Sequence, residues 1–340
     1  MNSFAFIVHP ITIQQIKKIW PAIRVFPDFI VKPNLKNIPA FKVSRIKQVR
    51  SAQRKEIEGF FVACPLTPRY ILEPNQEFVL NKIISTAHFA EKLGAKILGL
   101  SRYAAIVTDN GAKLAGKIQI PVTTGSTFTA WSVFEAIYRT AKTKQIDLTQ
   151  STLAVIDADS SIGQLCLNKL CEHIPEVIVT GKDRVKLEKI KESMYELYRS
   201  TISISEDARE AAKRATILIN ASSEFVANFD IQDLRPGILA CDVSLLRNIA
   251  SKADSRRDIS VINGDVIKLK YPIELGVDIG LPKDMVYAAM AETMLLTFEE
   301  KFVDYSLGGS INPDKLEEIA NLAVQHGFEV WVPEAEAAPF

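Results

Sequence analysis

The stretch Leu153-Ala-Val-Ile-Asp157-Ala-Asp159-Ser160-Ser161-Ile162-Gly163-Gln-Leu165 reads as a buried strand, a tight turn and the first turn of a helix. A dinucleotide-binding fold places its glycine-rich turn there, with the cofactor pyrophosphate resting on the helix N-terminus. In this chain Asp157 takes the first glycine position, Ser160 the second, and only Gly163 is glycine. The first glycine of such a turn permits the tight bend, the second lets the backbone approach the diphosphate, and the third lets helix pack on strand. Gly163 keeps the packing role, which fold alone requires. Asp157 and Asp159 set carboxylates where a diphosphate would lie. Two unit charges about 4 Å apart at an effective dielectric near 20 repel by roughly 4 kcal/mol, about three orders of magnitude in affinity. Diphosphate binding in the usual mode is therefore disfavoured.

Outward from this turn the pattern is regular. Strands at 152–156, 176–180, 201–204, 216–220, 238–242 and 259–262 alternate with helices at 162–173, 184–198 and 206–214. Apolar strands separated by helices at this spacing predict a Rossmann-like, doubly wound parallel sheet. The second strand ends in Thr180-Gly181-Lys182, with no acid to select a free ribose hydroxyl. Lys182 would favour a 2′-phosphate, hence NADPH if any cofactor binds. Asn220 and Ala221, at the end of the fourth strand, complete the cofactor-facing set with Asp157, Ser160, Ser161, Ile162, Gly163, Thr180 and Lys182.

A chain of 340 residues is long for one domain, so two are expected. Residues 1–130 read as an N-terminal α/β domain of substrate type, 131–150 as a linking helix and 151–280 as the Rossmann-like domain. Residues 281–340 read as C-terminal helices returning to the N-terminal domain and packing across both. In the first domain Phe4–Val8 is a strand closed by His9-Pro10, and Glu58–Ala63 is a second one ending in Cys64-Pro65. Residues 77–93 carry an amphipathic helix, and Ile97–Leu100 and Ala104–Val107 flank Ser101-Arg102-Tyr103 as a strand-and-loop pair. A histidine ending a strand before proline reads first as a turn residue, with a functional role as the alternative. Cys64 is a nucleophile only if its pKa is lowered, and most unpaired cysteines are buried fillers. The hydroxyls of Thr123, Thr124, Ser126 and Thr127, with Gly125, exceed what one helix cap needs, which points to a loop facing a ligand. Met285–Phe302 reads as one long apolar helix, and Pro313 opens another ending near Gly327.

Forty-one basic and forty acidic residues leave a formal charge of +1, which argues against nucleic acid or an anionic membrane as the main partner. The basic excess is local, over Lys17, Lys18, Arg24, Lys32, Lys36, Lys42, Arg45, Lys47 and Arg50, and reads as a solvated face or as a docking patch for an acidic partner. Four scattered cysteines without a Cys-x-x-Cys pair predict neither disulfides nor a metal site. The N-terminus lacks signal-peptide character and no apolar run approaches the ~20 residues of a membrane span, so a cytoplasmic protein is expected.

Four stretches together resemble the long-chain acyl-acyl-carrier-protein reductases, which form fatty aldehydes with NADPH. They are Thr123-Thr-Gly-Ser-Thr-Phe128-Thr-Ala, Ile262-Asn-Gly264, Ala291-Glu-Thr-Met-Leu-Leu-Thr-Phe-Glu299 and Gln325-His326-Gly327-Phe328. The resemblance implies an N-terminal α/β domain, a Rossmann domain and C-terminal helices. It also implies a cysteine nucleophile just before the Ala291–Glu299 stretch, where this chain has Ala289, and a histidine where it has Phe128. An alanine methyl cannot attack a thioester. The expectation is a reductase-like protein that binds an acyl or apolar ligand, or a partner such as an acyl-carrier protein, without covalent thioester reduction. The alternative is an NADP(H)-dependent oxidoreductase that reduces a carbonyl by direct hydride transfer.

Overall fold

The computed structural model of the chain describes residues 2–10, 13–19, 23–71, 75–224, 228–308 and 312–332. Two units organise them. The first comprises Met1–Gly125, Lys268–Gly308 and Asn321–Phe328, the second Ser126–Ile267, Gly309–Ala320 and Glu329–Phe340. Residues 333–340, the end of the expected C-terminal helical segment, lie outside the described residues.

The first unit runs β1 (Ser3–Val8), α1 (Ile13–Ile19), α2 (Asp28–Asn34), β2 (Phe41–Arg50), β3 (Glu56–Ala63), α3 (Pro68–Ile71), α4 (Gln76–Lys92), β4 (Ile97–Gly99), α5 (Arg102–Val107) and β5 (Val122–Thr123). Its sheet has the order β2-β3-β1-β4-β5. Strands β3, β1, β4 and β5 are parallel and β2 is antiparallel at the edge. The sequence explains the placement: β1 is an unbroken apolar run buried on both faces, as central parallel strands are. In β2, buried Ile46 and Val49 alternate imperfectly with exposed Lys42, Arg45, Lys47 and Arg50, and the register shifts twice. Much of the basic excess is thus the solvated face of an edge strand, and Arg45 and Arg50 pair there with Glu58 and Glu56. Helix α4 buries Val79, Ile83, Ala87 and Ala90 on one stripe, is capped by Asn75, and ends at Gly94, whose φ is +86°. Ala104–Val107 belongs to α5 and is not a strand. Its apolar residues are too few to show their period, and the helix is closed by Thr108 bonding back to Ala104.

The second unit runs α6 (Ser126–Thr143), β6 (Thr152–Ile156), α7 (Ser161–Leu170), β7 (Glu176–Val179), α8 (Arg184–Tyr198), β8 (Thr201–Ile204), α9 (Ala208–Arg214), β9 (Ile217–Asn220), β10 (Leu239–Asp242) and β11 (Ser260–Ile262). Its six strands lie in the order β11-β10-β9-β6-β7-β8, and the pairs are parallel. The order reverses between β6 and β9, the switch point at which doubly wound sheets open a crevice beyond their carboxyl ends. Ala154, Ile178, Leu218 and Ala240 pack from the sheet into one core with Ile231, Ile238 and Ile249. The fold is α/β with a Rossmann-like parallel sheet.

The chain finishes with β12 (Val266–Leu269), β13 (Met285–Tyr287), α10 (Ala288–Phe298), α11 (Pro313–His326) and β14 (Phe328–Val330). The expected long helix from Met285 therefore begins at Ala288, after an extended Tyr287, and stops where Glu300 turns to φ +51°. Helix α10 lies on the first unit's sheet. Gly99 permits that approach, because a Cβ there would stand 2.3 Å from Thr293 Oγ1 and 2.5 Å from the Phe6 ring. No described helix is long and apolar enough to cross a membrane.

Candidate functional site

In the second unit the β6–α7 turn is filled by its own side chains. Asp157, at the first glycine position, holds the left-handed conformation with φ +64°, which glycine adopts most easily and Asp tolerates. Its carboxylate crosses to the loop after β9, accepting from Ser223 N–H at 3.0 Å and Ser223 O–H at 2.7 Å. Ser160 caps α7 by accepting the Gly163 N–H at 3.1 Å. Ser161 and Ile162 follow it as the first residues of the helix. Gly163 does pack: a Cβ there would lie 2.6 Å from the Asp157 carbonyl oxygen.

Asp159 turns the other way, toward the end of β7. Its Oδ2 accepts the N–H groups of Lys182 at 3.0 Å and Asp183 at 2.9 Å, while Oδ1 is buried without a hydrogen bond. Gly181 makes room for it, since a Cβ on that residue would stand 2.2 Å from Oδ1. The Asp159 carbonyl accepts from Gln164 at 2.9 Å and also from the Lys186 ammonium. Lys182 extends to Glu224, 3.1 Å away. The Thr180 carbonyl accepts the Ala158 N–H, and Ala221 N–H donates to Ile156. Asn220 is buried and donates to Asp242 at 3.2 Å and Asn248 at 2.9 Å. Every acidic or hydroxylic side chain from Asp157 to Ser160 thus has a partner inside the chain.

The first unit gathers a second polar group at the end of β5. Thr123 and Ser306 both donate to the Glu292 carboxylate, the latter at 2.7 Å, and all three side chains are buried. Thr124 donates to the Ser306 carbonyl at 2.6 Å. Two hydroxyls of the expected ligand-facing loop are therefore engaged within the fold. Ser126 and Thr127 begin α6 and are also buried. Gly125, at φ +75°, lies against Ala289: a Cβ on it would be 2.2 Å from the Ala289 Cα. Position 289 and the 123–125 loop, distant in sequence, are brought together. Glu292 and Ser306 were not singled out from the sequence. A carboxylate inside the apolar run Ala288–Phe298 was the available signal for the first, and nothing marked the second.

No family model matches this chain. A long-chain acyl-acyl-carrier-protein reductase of Synechococcus elongatus is 28% identical over 296 residues, 83% of this chain and 85% of that protein. The match supports a family relationship. An aminotransferase, PigE, of a Serratia species is 26% identical over 290 residues, 84% of this chain but 34% of its own length. The chain thus spans about a third of that relative. Shikimate 5-dehydrogenase from Listeria monocytogenes, solved with shikimate and NAD, is 10% identical, covers 94% of this chain and 96% of its own, and has a TM-score of 0.39.

Of the other residues singled out from the sequence, His9 is half-buried, and Phe128 and the four cysteines are buried. Phe128, at the family's histidine position, is fully buried and stacks on Trp131 with ring centroids 5.4 Å apart. Cys64 is fully buried, and desolvation pushes its thiol up to about 12, against smaller opposing effects from Thr86 and Lys82. That removes it as a nucleophile. Cys166, Cys171 and Cys241 are buried and raised by the same cause.

Proposed function

We propose that this chain is a catalytically degenerate relative of the acyl-acyl-carrier-protein reductases. It binds an acyl or other apolar ligand, or the partner that carries one, and forms no thioester on itself. The observation that carries this reading is Ala289 packed on Gly125 beside a Glu292 already held by Thr123 and Ser306. The position implied for the nucleophile has no attacking atom, and the Glu292 carboxylate, one helical turn on, is bound to hydroxyls.

The second unit adds support. The residues at its turn do not fit a dinucleotide diphosphate in the usual mode. Ser160 already holds the Gly163 N–H, Asp157 and Asp159 bring negative charge, and Asp159 fills the hollow over Gly181. A 2′-phosphate at Lys182 would have to displace Glu224. The exposed Lys18, Arg24, Lys36, Lys42 and Lys47 suit an acidic partner such as an acyl-carrier protein, in the cytoplasm.

The test is turnover and binding on the purified chain. No aldehyde and no NADPH oxidation are expected with a long-chain acyl thioester, and no cofactor binding at millimolar NADPH. Turnover that disappears on Gly163→Ala or Lys182→Ala would overturn the reading. It would favour instead direct hydride transfer to a carbonyl, for which the β6/β9 switch point is the supporting feature.

A further inference from the structure

Exposed apolar side chains are ordinary singly and informative when they cluster. Among the described residues Val25 is 82% exposed, Phe29 75%, Phe26 46% and Ile30 41%, all within six consecutive positions. They run from a turn, with the Phe26 N–H donating to the Ile23 carbonyl at 3.2 Å, into the start of α2. The inner side of α2 is packed, with Val31 and Leu35 buried beside Ile16 and Ile38. A surface helix usually turns its polar residues outward; this one presents Phe29 and Ile30. The charge around them is one-sided. Residues 1–55 hold eleven of the forty-one basic residues and one of the forty acids, Asp28, which pairs with Lys17 at 2.6 Å. Lys18, Arg24 and Lys36 are exposed, and Arg24 reaches the Lys18 carbonyl at 3.5 Å. The even charge of the whole chain conceals this segment, so it does not exclude an anionic surface as a local partner.

We propose that Arg24–Ile30 docks the chain on an anionic lipid surface, with Val25 and Phe29 entering the acyl boundary and the neighbouring cations meeting the headgroups. The inference goes beyond the ligand-binding reading and does not depend on it. Basic side chains alone suit an acidic protein as well as an anionic lipid, and the apolar ones decide between them. A protein partner needs a matching pocket for each protruding side chain. The headgroup–acyl boundary takes them up in any arrangement. Lysine and arginine beside large apolar side chains on one short segment are the composition of an interfacial anchor. The two contributions add, because apolar area leaves water while the cations come within a Debye length of the anionic headgroups. A second copy of the chain is disfavoured, since two cationic rims would then face each other. The attachment is reversible, as a few side chains supply far less than a spanning helix.

The test is co-sedimentation of the full chain with phosphatidylcholine vesicles, alone or with about one-third phosphatidylglycerol. Binding to the mixed vesicles is expected to be at least ~10-fold tighter than to phosphatidylcholine alone, and to weaken in strong salt. Phe29→Ser should weaken it about tenfold, and Arg24→Gln about fivefold on the mixed vesicles. Neither should move the urea midpoint, because both side chains are exposed. Phe29→Trp should be quenched by brominated lipid beyond the quenching seen in the parent chain, which reports insertion. No binding to the mixed vesicles would overturn the proposal. So would undiminished binding by Phe29→Ser, which would leave a charge contact with no anchor. If an acyl-carrier protein binds and loses affinity in Phe29→Ser while vesicles do not bind, the patch serves a protein and the proposal falls. Dimerisation that Phe29→Ser abolishes, without vesicle binding, would assign the patch to a second copy instead.

Discussion

At Cys64, burial pushes the thiol up to about 12, and at Cys171 to about 11, and burial raises Cys166 and Cys241 as well. Thiolate, not thiol, reacts with disulfide reagents. All four cysteines of the folded chain should therefore react with such a reagent at least ~100-fold more slowly than in denaturant. A single fast thiol in the native protein would contradict the burial. Ala289 offers the complementary test, because it lies half-buried in the first turn of α10, where a helix N-terminus lowers a thiol pKa. Ala289→Cys should gain one rapidly alkylated thiol per chain and accept an acyl group from a thioester, read by mass spectrometry. It should still release no aldehyde, since the turn in the second unit is unchanged. At this scale the sequence is informative where chemistry is local. The flanking Ala291–Glu299 stretch located position 289, whereas the bonds from Thr123 and Ser306 to Glu292 join segments far apart in the chain.

The β6–α7 turn works as a clasp built from side chains on three connections. Asp159 reaches the start of α8, Asp157 reaches the loop after β9, and Ser160 closes α7. Losing the Ser160 cap should cost about 1 kcal/mol in Ser160→Ala, measured by urea unfolding. The contact between Asp159 and Gly181 predicts coupling. Gly181→Ala drives a methyl into the carboxylate and should destabilise the chain clearly, but far less when Asp159 is already alanine. A double-mutant cycle should return roughly 1–2 kcal/mol of interaction; additive effects would mean that Asp159 does not occupy that hollow. The alternation of strands and helices here was legible because each element is long enough to show its period. Strand β2 was not, because two register shifts interrupt its alternation. Nor was the direction of Asp157 and Asp159, since a turn sequence does not say which neighbouring loop its carboxylates will reach.

Across the whole molecule, folding is linked to pH by His9, His326 and Glu299 in the first unit, where Glu91 is lowered too, and by the lowered Asp147, Asp230 and Asp258 in the second. Burial lowers His326, against the raising effect of Glu299, and Glu299 is lowered chiefly by its hydrogen bond from Lys55 at 2.7 Å. The sign is the same for all of them. A histidine held below its unfolded value binds its proton more readily in the unfolded chain, so its contribution is complete above pH 6.5 and is lost as the pH falls toward the folded value. A lowered carboxylate likewise contributes above about 4.5 and loses that contribution on further acidification. For His9 the fall from 6.5 to about 4 corresponds to about 3 kcal/mol at most. Stability measured by urea unfolding should therefore be level above neutrality and decline steadily from pH 6.5 toward 4. His9→Gln, which keeps a donor and an acceptor but does not titrate, should flatten that decline by about 2 kcal/mol. Unchanged stability between pH 7 and 5 would mean that the His9 ring is hydrated in solution and that its burial does not set its pKa.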